Sequence, residues 1–525
     1  MKDFRVMRSM LLAGAAFACA VLPTGPVLAG QPVIADAPPA APAAPGTAVS
    51  DNGAGTLPAT LTDALVAAYN NNATLQEQRA ALRQADEGVP TALSGWRPQV
   101  SLLGSYGRTS ETLTTQQVNQ FTGALSDVTT PEYYNQSTAE AQITQNVFNG
   151  GKTLAQTREA KNQVYAARAQ LLSTEQQVFL NVVQAYVTVV TDRQVLALQE
   201  SNEDVLRQQL KDTTTQFNVG EITMTSVAQA QSSLAQAVEQ VQVAQGNLNI
   251  AGENFRQLVG AYPAGNLAPP QPLLLPVNSK DEAAAVAVAN NPNVIAAEFT
   301  NAADKDAIDV AFSALMPQIQ VQASAFHETG QSYSGSQLKG GSVVGQLTIP
   351  LYQGGQEYAA IRQARAKAQQ SFASILDAQR TAFYQGSQAW EAIVSTRAAI
   401  IAANVAIKAN AIALDGTERE ELVGTRTTLD VLNAQQLLLN SQVEQVQNIG
   451  TLVNNSYTVA SAIGRLTVRD LGLPVQEYDD LKYYNAVKYA AFGTGESADR
   501  EAGIAPDGTL LDAPPAPAAA SGPAP

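Results

Sequence analysis

Two stretches of this chain, Gly151 to Asn218 and Gly355 to Val423, run without a proline and carry apolar residues every seven positions. Val164, Leu171 and Val178 do so in the first; Leu376, Phe383 and Trp390, then Ile393, Ile400, Ile407 and Leu414, do so in the second. As helices, each would extend about 100 Å at a rise of about 1.5 Å per residue. Gly220 and Gly424 reverse the chain, and the returning segments keep the spacing through Val227, Leu234, Val241, Leu248 and Phe255, and through Leu432, Leu439, Val446 and Val453. Sustained heptads predict left-handed coiled-coil packing between antiparallel helices.

The two hairpins belong to a duplicated unit. Asn72-Ala73 recurs as Asn291-Pro292, and Trp96-Arg97-Pro98-Gln99-Val100 as Leu315-Met316-Pro317-Gln318-Ile319. Phe148-Asn149-Gly150-Gly151 recurs as Tyr352-Gln353-Gly354-Gly355, Val219-Gly220 as Val423-Gly424, and Gly260 as Gly464. The offset shortens between Val100 and Phe148, so the first copy carries extra length there. Each copy opens with helix (about 60–95 and 280–315), ended by Pro98 or Pro317. Alternating segments follow. Ile319, Val321, Ala323 and Ala325 share one face against Gln318, Gln320, Gln322 and Ser324, and Val343, Leu347 and Ile349 alternate likewise with polar neighbours. The first copy offers 99–110 and 138–148, which leaves 111–136 and 329–341 as expected extracellular loops.

Composition narrows the function. One His (His327) and one Cys (Cys19) supply no zinc cluster, disulfide framework or His-based triad. A net charge of −15 opposes a nucleic-acid partner. No enzyme, cofactor or metal is expected. Lys2, Arg5 and Arg8 precede an apolar run from Met10 to Leu22, with Val27-Leu28-Ala29 as cleavage site, so residues 1–29 read as a secretory signal. Cys19 could instead be a lipidation cysteine, but it lacks the leucine expected three residues upstream. No later stretch is expected to make a membrane helix. The expected divisions are linker 30–56, first repeat 57–270, second repeat 271–470, a periplasmic segment 471–493, and a disordered Ala/Pro tail 494–525.

Four strands of about 10–12 residues are long enough to cross a bilayer, but four cannot close, and hydrocarbon tolerates no open edge. The barrel must be shared between chains: two chains would give a filled lumen, three a possible channel. The plain alternative is a pair of soluble hairpins capping a coiled coil.

The run Gly424-Thr425-Arg426-Thr427-Thr428-Leu429-Asp430-Val431-Leu432-Asn433-Ala434-Gln435 resembles the tunnel-end motif of the TolC family of outer-membrane efflux and secretion proteins. Phe217-Asn218-Val219-Gly220 and Ala289-Asn290-Asn291-Pro292 resemble its other signatures, and the likeness covers about 57–470. It implies an α+β membrane protein: a homotrimer with an antiparallel coiled-coil tunnel in the periplasm and a transmembrane β-barrel to which each chain gives four strands. Outer-membrane lipid, a periplasmic adaptor and an inner-membrane ABC or proton-driven pump are the implied partners.

The resemblance also assigns residues. Asp430 would line the constriction at the tunnel end. The family's second acid there is Asn433 in this chain, so that ring is neutral. Arg426 matches the family's gate arginine, but its family partners correspond to Ser226, beside Thr225, and to Glu421. Asp430, Glu421 and Glu221 are the alternative partners. Val219, Gly220, Glu221, Val423, Gly424 and Thr425 form the tips that would meet the adaptor. Trp96 and Arg97 fit either the periplasmic edge of the barrel or a packed domain corner, and His327 fits a loop edge. The expected function is a trimeric export duct for type I protein secretion, with small-molecule efflux as the alternative cargo. A poreless periplasmic scaffold or adaptor is the alternative of another class.

Overall fold

The computed structural model describes residues 57–121, 123–331 and 335–503. The expected signal peptide with Cys19, the linker 30–56 and the tail from 504 lie outside the described residues. The first copy runs through helices α1 (Leu61–Asn71), α2 (Ala73–Asp86) and α3 (Gly88–Leu93), strands β1 (Gln99–Val118) and β2 (Leu125–Asn149), and the helices α4 (Lys152–Asn218) and α5 (Met224–Val259). The second repeats it as α6 (Lys280–Asn290), α7 (Pro292–Phe312), β3 (Gln318–Thr329), β4 (Gln337–Thr348), α8 (Gln356–Leu422) and α9 (Thr428–Ala462). Three short helices follow: α10 (Val468–Leu471), α11 (Lys482–Val487) and α12 (Glu496–Glu501).

The repeated residues do matching work. Asn72 caps α2 by accepting the N–H groups of Thr74 and Leu75 at 3.0 and 3.2 Å, while its amide donates to the Leu258 carbonyl at 3.0 Å. Asn291 caps α7 in the same way and donates to the Ala462 carbonyl. Each asparagine thus joins the start of one helix to the last turn of the returning one. Gly464 lies there at φ 76°, and a Cβ on it would stand 2.4 Å from the Asn290 carbonyl oxygen. Gly151 and Gly355, at φ 83° and 85°, turn the chain from strand into long helix.

The strands form one antiparallel sheet in the order β1-β2-β3-β4. The sequence expectation fails in one respect: 111–136 is not a loop. Thr112 to Val118 pair rung by rung with Leu125 to Pro131, and Thr114 Oγ1 meets Thr129 Oγ1 at 3.0 Å. Strands made of Thr, Gln and Ser show no apolar alternation, yet β-branched and hydroxyl residues pair well across antiparallel strands. The extra length of the first copy is therefore a taller β-hairpin. In the second copy the connection is confined to 330–336.

Among the long helices, α4 packs on α5 and on α9, and α9 packs on α8, giving the order α5-α4-α9-α8. The largest core sits where α1 and α2 cross them, around Tyr69, Leu75, Phe179, Tyr186 and Phe255. Polar ties run between helices elsewhere: the Asn301 amide donates to the Ala368 carbonyl at 2.8 Å, and the Asn410 amide to Ser441 Oγ at 2.8 Å. Both outer helices of the row keep exposed apolar residues, Val243 and Ile250 on α5, and Val394, Ile401, Val405 and Ile412 on α8. Contrary to expectation, α8 does contain a stretch long and apolar enough to span a membrane by length and composition. That stretch combines the seam packed on α9 with the second, exposed stripe, which together raise its hydropathy.

The chain's end also departs from expectation. Residues 496–501 are helical, and Ala498 and Ala502, four apart on one face, bury against Tyr483 and Val487. Small residues that read as disorder-prone here pack beside Tyr483.

Candidate functional site

The helix tips are built by glycine. After α4, Gly220 takes φ 85°, and the Glu221 N–H reaches back to the Gln216 carbonyl at 3.0 Å. After α8, Gly424 takes φ 78°, and the Thr425 N–H reaches the Glu420 carbonyl at 2.9 Å. These are left-handed helix terminations, which a side chain would strain. Val219, Leu422 and Val423 stand exposed at the ends.

The second tip carries the charged groups. Thr427 caps α9 in a reciprocal capping box: Asp430 N–H donates to Thr427 Oγ1 at 3.3 Å, and Asp430 Oδ2 accepts from the Thr427 N–H and hydroxyl, each at 2.9 Å. Those two donors, then the charge of Arg426, hold the Asp430 carboxyl below its usual pKa. Arg426 Nε donates to Glu420 Oε2 at 3.0 Å. That bond and the charges of Glu420 and Asp430 push the arginine pKa up.

Sequence reasoning named Asp430, Glu421 and Glu221 as alternative partners; the ion pair formed is with Glu420. Arg426 precedes the cap residue Thr427, so helical i,i+4 spacing to Asp430 does not apply to it. The Gly424 turn instead folds Thr425 onto Glu420 and brings the next residue alongside. Glu421 lends its carbonyl to the Gly424 N–H. Asn433 is exposed one turn into α9, while Glu221, Thr225 and Ser226 belong to the other tip, with the Ser226 N–H bonded to the Thr223 carbonyl at 3.1 Å. The structure thus gathers Glu420, Arg426, Thr427 and Asp430 on one turn.

At the other end, the register sorts the sheet into two faces. Val100, Leu102, Ala141, Ile143, Ala323 and Val343 fall on one face, and Ser101, Gln142, Gln322 and Ser342 on the other. Strand parity also separates charge, Asp127 excepted, which falls on the side of Arg108. Arg108, His327 and Lys339 share the apolar side, beyond the apolar band, whereas Glu111, Glu132, Glu140 and Glu328 share the polar side. His327 lies near the outer end of β3, opposite Lys339, as expected of a strand residue at the loop edge. A barrel closed from this sheet with its apolar band toward hydrocarbon would carry these four glutamates on its lumen side.

A family profile described as outer membrane efflux protein matches residues 64–261 and 284–465. The chain is 34% identical over 448 residues to the outer membrane efflux protein BepC of Brucella suis biovar 1, covering 84% of this chain and 93% of that protein. This chain belongs to the outer membrane efflux protein family. It is also 27% identical to the outer membrane protein TolC of Escherichia coli K12, over 64% of this chain and 71% of that one. The alkaline protease secretion protein AprF of Pseudomonas aeruginosa is 25% identical over 52% of this chain and 58% of that protein. In fold, the Campylobacter jejuni CmeC outer membrane channel superposes with a TM-score of 0.64 at 18% identity, covering 77% of this chain and 85% of that one. The family places the chain in the bacterial outer membrane, with its sheet as one share of a β-barrel and its long helices as part of a periplasmic tunnel. Its relatives are channels and not enzymes.

Proposed function

We propose that three copies of this chain close into a passive export conduit, with a twelve-stranded barrel above a helical tunnel, and that it serves type I protein secretion. One observation carries the conduit: both layers are open at both ends. The sheet ends in unpaired β1 and β4, and the helix row ends in α5 and α8 with exposed apolar stripes. Copies related by a rotation axis would join β4 to β1 and α8 to α5 at the same contact, and such head-to-tail contacts close into a ring. Eight strands would fill their own lumen, while twelve leave room for a channel.

The same reading extends to the tips. Val219, Gly220, Glu221, Val423, Gly424 and Thr425 are the surface offered to a periplasmic adaptor and, through it, an inner-membrane pump. Asp430 makes the charged ring of the constriction and Asn433 a neutral one, with Arg426 and Glu420 steadying the turn, and Glu421, Thr225 and Ser226 flanking the gate. The likeness to AprF, named for alkaline protease secretion, supports protein as cargo. The name of BepC favours efflux of small molecules as a second reading. Comparing secreted proteins and drug sensitivity in a deletion strain decides between them: loss of secreted proteins with unchanged sensitivity supports secretion, and the reverse supports efflux.

A further inference from the structure

The segment after α10 climbs toward the barrel. The Tyr478 N–H donates to the Tyr69 hydroxyl on α1 at 2.9 Å, the Tyr483 hydroxyl to Glu87 between α2 and α3 at 2.8 Å, and Arg97 to the carbonyls of Tyr489 and Ala490 at 3.1 and 2.6 Å. Arg97 is two residues from the first residue of β1, so Tyr489 and Ala490 are tied to the periplasmic rim of the barrel. There the single chain leaves the segment uncovered: Tyr489 is 74% exposed and Phe492 96% exposed, and Trp96, which precedes Arg97 in sequence, is half-exposed.

Charge follows the same division. Lys482 to Phe492 holds two lysines and no acid, in a chain of net charge −15. Lys488 lies over the rings of Tyr484 and Tyr489 at 5.8 and 5.5 Å. The acids Glu496, Asp499 and Glu501 come only after Gly493 and Gly495 turn the chain into α12, which packs back on Tyr483. Aromatic rings mixed with lysine, at the level where a barrel leaves the hydrocarbon, are the chemistry of the headgroup layer. The family match ends at residue 465 and assigns nothing to this segment.

We propose that Lys488–Phe492 is an interfacial foot that seats Tyr489 and Phe492 in the phospholipid headgroup layer of the inner leaflet of the outer membrane. It uses the barrel's place in the membrane and is independent of the cargo. The foot fixes the strap, and through Arg97 the rim, at a set depth.

Spin labels test it in the full chain reconstituted in vesicles of phosphatidylethanolamine and phosphatidylglycerol, with Cys19→Ser where the leader is retained. Labels on Tyr489→Cys and Phe492→Cys should show nickel-chelate collision several-fold below, and oxygen collision above, those of Leu422→Cys at the tunnel tip. Val100→Cys, on the apolar face of β1, reports independently that the barrel is in lipid. With Val100 in lipid, either of two results at 489 and 492 overturns the foot. Nickel access equal to that at Leu422 means water, and low access to both reagents means a protein cover.

Discussion

Thr427→Ala and Asp430→Asn separate the two jobs given to one carboxylate. The Asp430 side chain closes the capping box of α9, and in a trimer it would also present one of three charges to a passing cation. Thr427→Ala removes the reciprocal bond but keeps the charge. An N-cap loss costs about 1 kcal/mol, roughly a fivefold rise in opened first turns. Asp430→Asn keeps a hydrogen-bonding group but removes the charge. In water, a divalent ion about 4 Å from even one carboxylate gains roughly thirtyfold in affinity from the attraction of charge. Block by multivalent cations in planar bilayers should thus weaken at most about fivefold in Thr427→Ala and at least about thirtyfold in Asp430→Asn. Because the carboxyl pKa is held low by the Thr427 donors, block and cap persist as pH falls through the usual carboxylate range and disappear only below the depressed value. Unchanged block in Asp430→Asn, or equal weakening in both variants, would refute the charge ring.

Three further outcomes follow from the packing. Burial pushes Asp86 and Glu175 up to about 7, so the folded chain holds protons that the unfolded chain releases, and stability falls as pH rises from about 4 to about 7. Asp86→Asn should raise the melting temperature by several degrees at pH 8 and have little effect at pH 4, read by thermal scans at both values. Ile401→Glu places a charge on the exposed stripe of α8, and should leave helix content intact by circular dichroism while abolishing the SDS-resistant trimer. Arg426→Ser should change resting conductance little, because its partner Glu420 belongs to its own turn; a large rise would show that the arginine bonds across helices in the assembly.

Period and punctuation were what the sequence made legible. Heptads over long proline-free runs leave no competing structure, and the paired glycines and asparagines recur because each copy needs the same left-handed turn and the same cap. The upper halves of β1 and β2 stayed hidden because their pairing rests on Thr and Gln, whose alternation carries no apolar signal. Glu420 stayed hidden for a geometric reason: only the folded Gly424 turn brings it beside Arg426. The C-terminal strap could be set off in sequence as residues 471–493, but its path could not be read, since the bonds from Arg97 join residues nearly four hundred positions apart.

The tip raises a question of what holds it shut, and magnitude decides it. The Arg426–Glu420 pair is about half exposed on both sides, and such solvent-screened pairs contribute little to stability. It also joins residues of one turn, so it does not resist the separation of one hairpin from the other. A small cluster does: Leu206 on α4, Ala237 on α5 and Leu432 on α9 bury one another, with Leu234 packed alongside. Leu432 stands only two residues past Asp430, at 6% exposure, and burying a leucine contributes about 1.5–3 kcal/mol. On the proposed reading, splaying the second hairpin away from the first must break this contact before a ring formed by Asp430 would widen. Leu432→Ala, which costs about 2–5 kcal/mol at a buried site, should therefore raise resting conductance in planar bilayers while the trimer stays SDS-resistant, since the waist core around Tyr69 and Phe179 is untouched. Conductance equal to that of the unaltered channel would show that this cluster moves with the tip as one body, and that the closure lies in contacts between protomers.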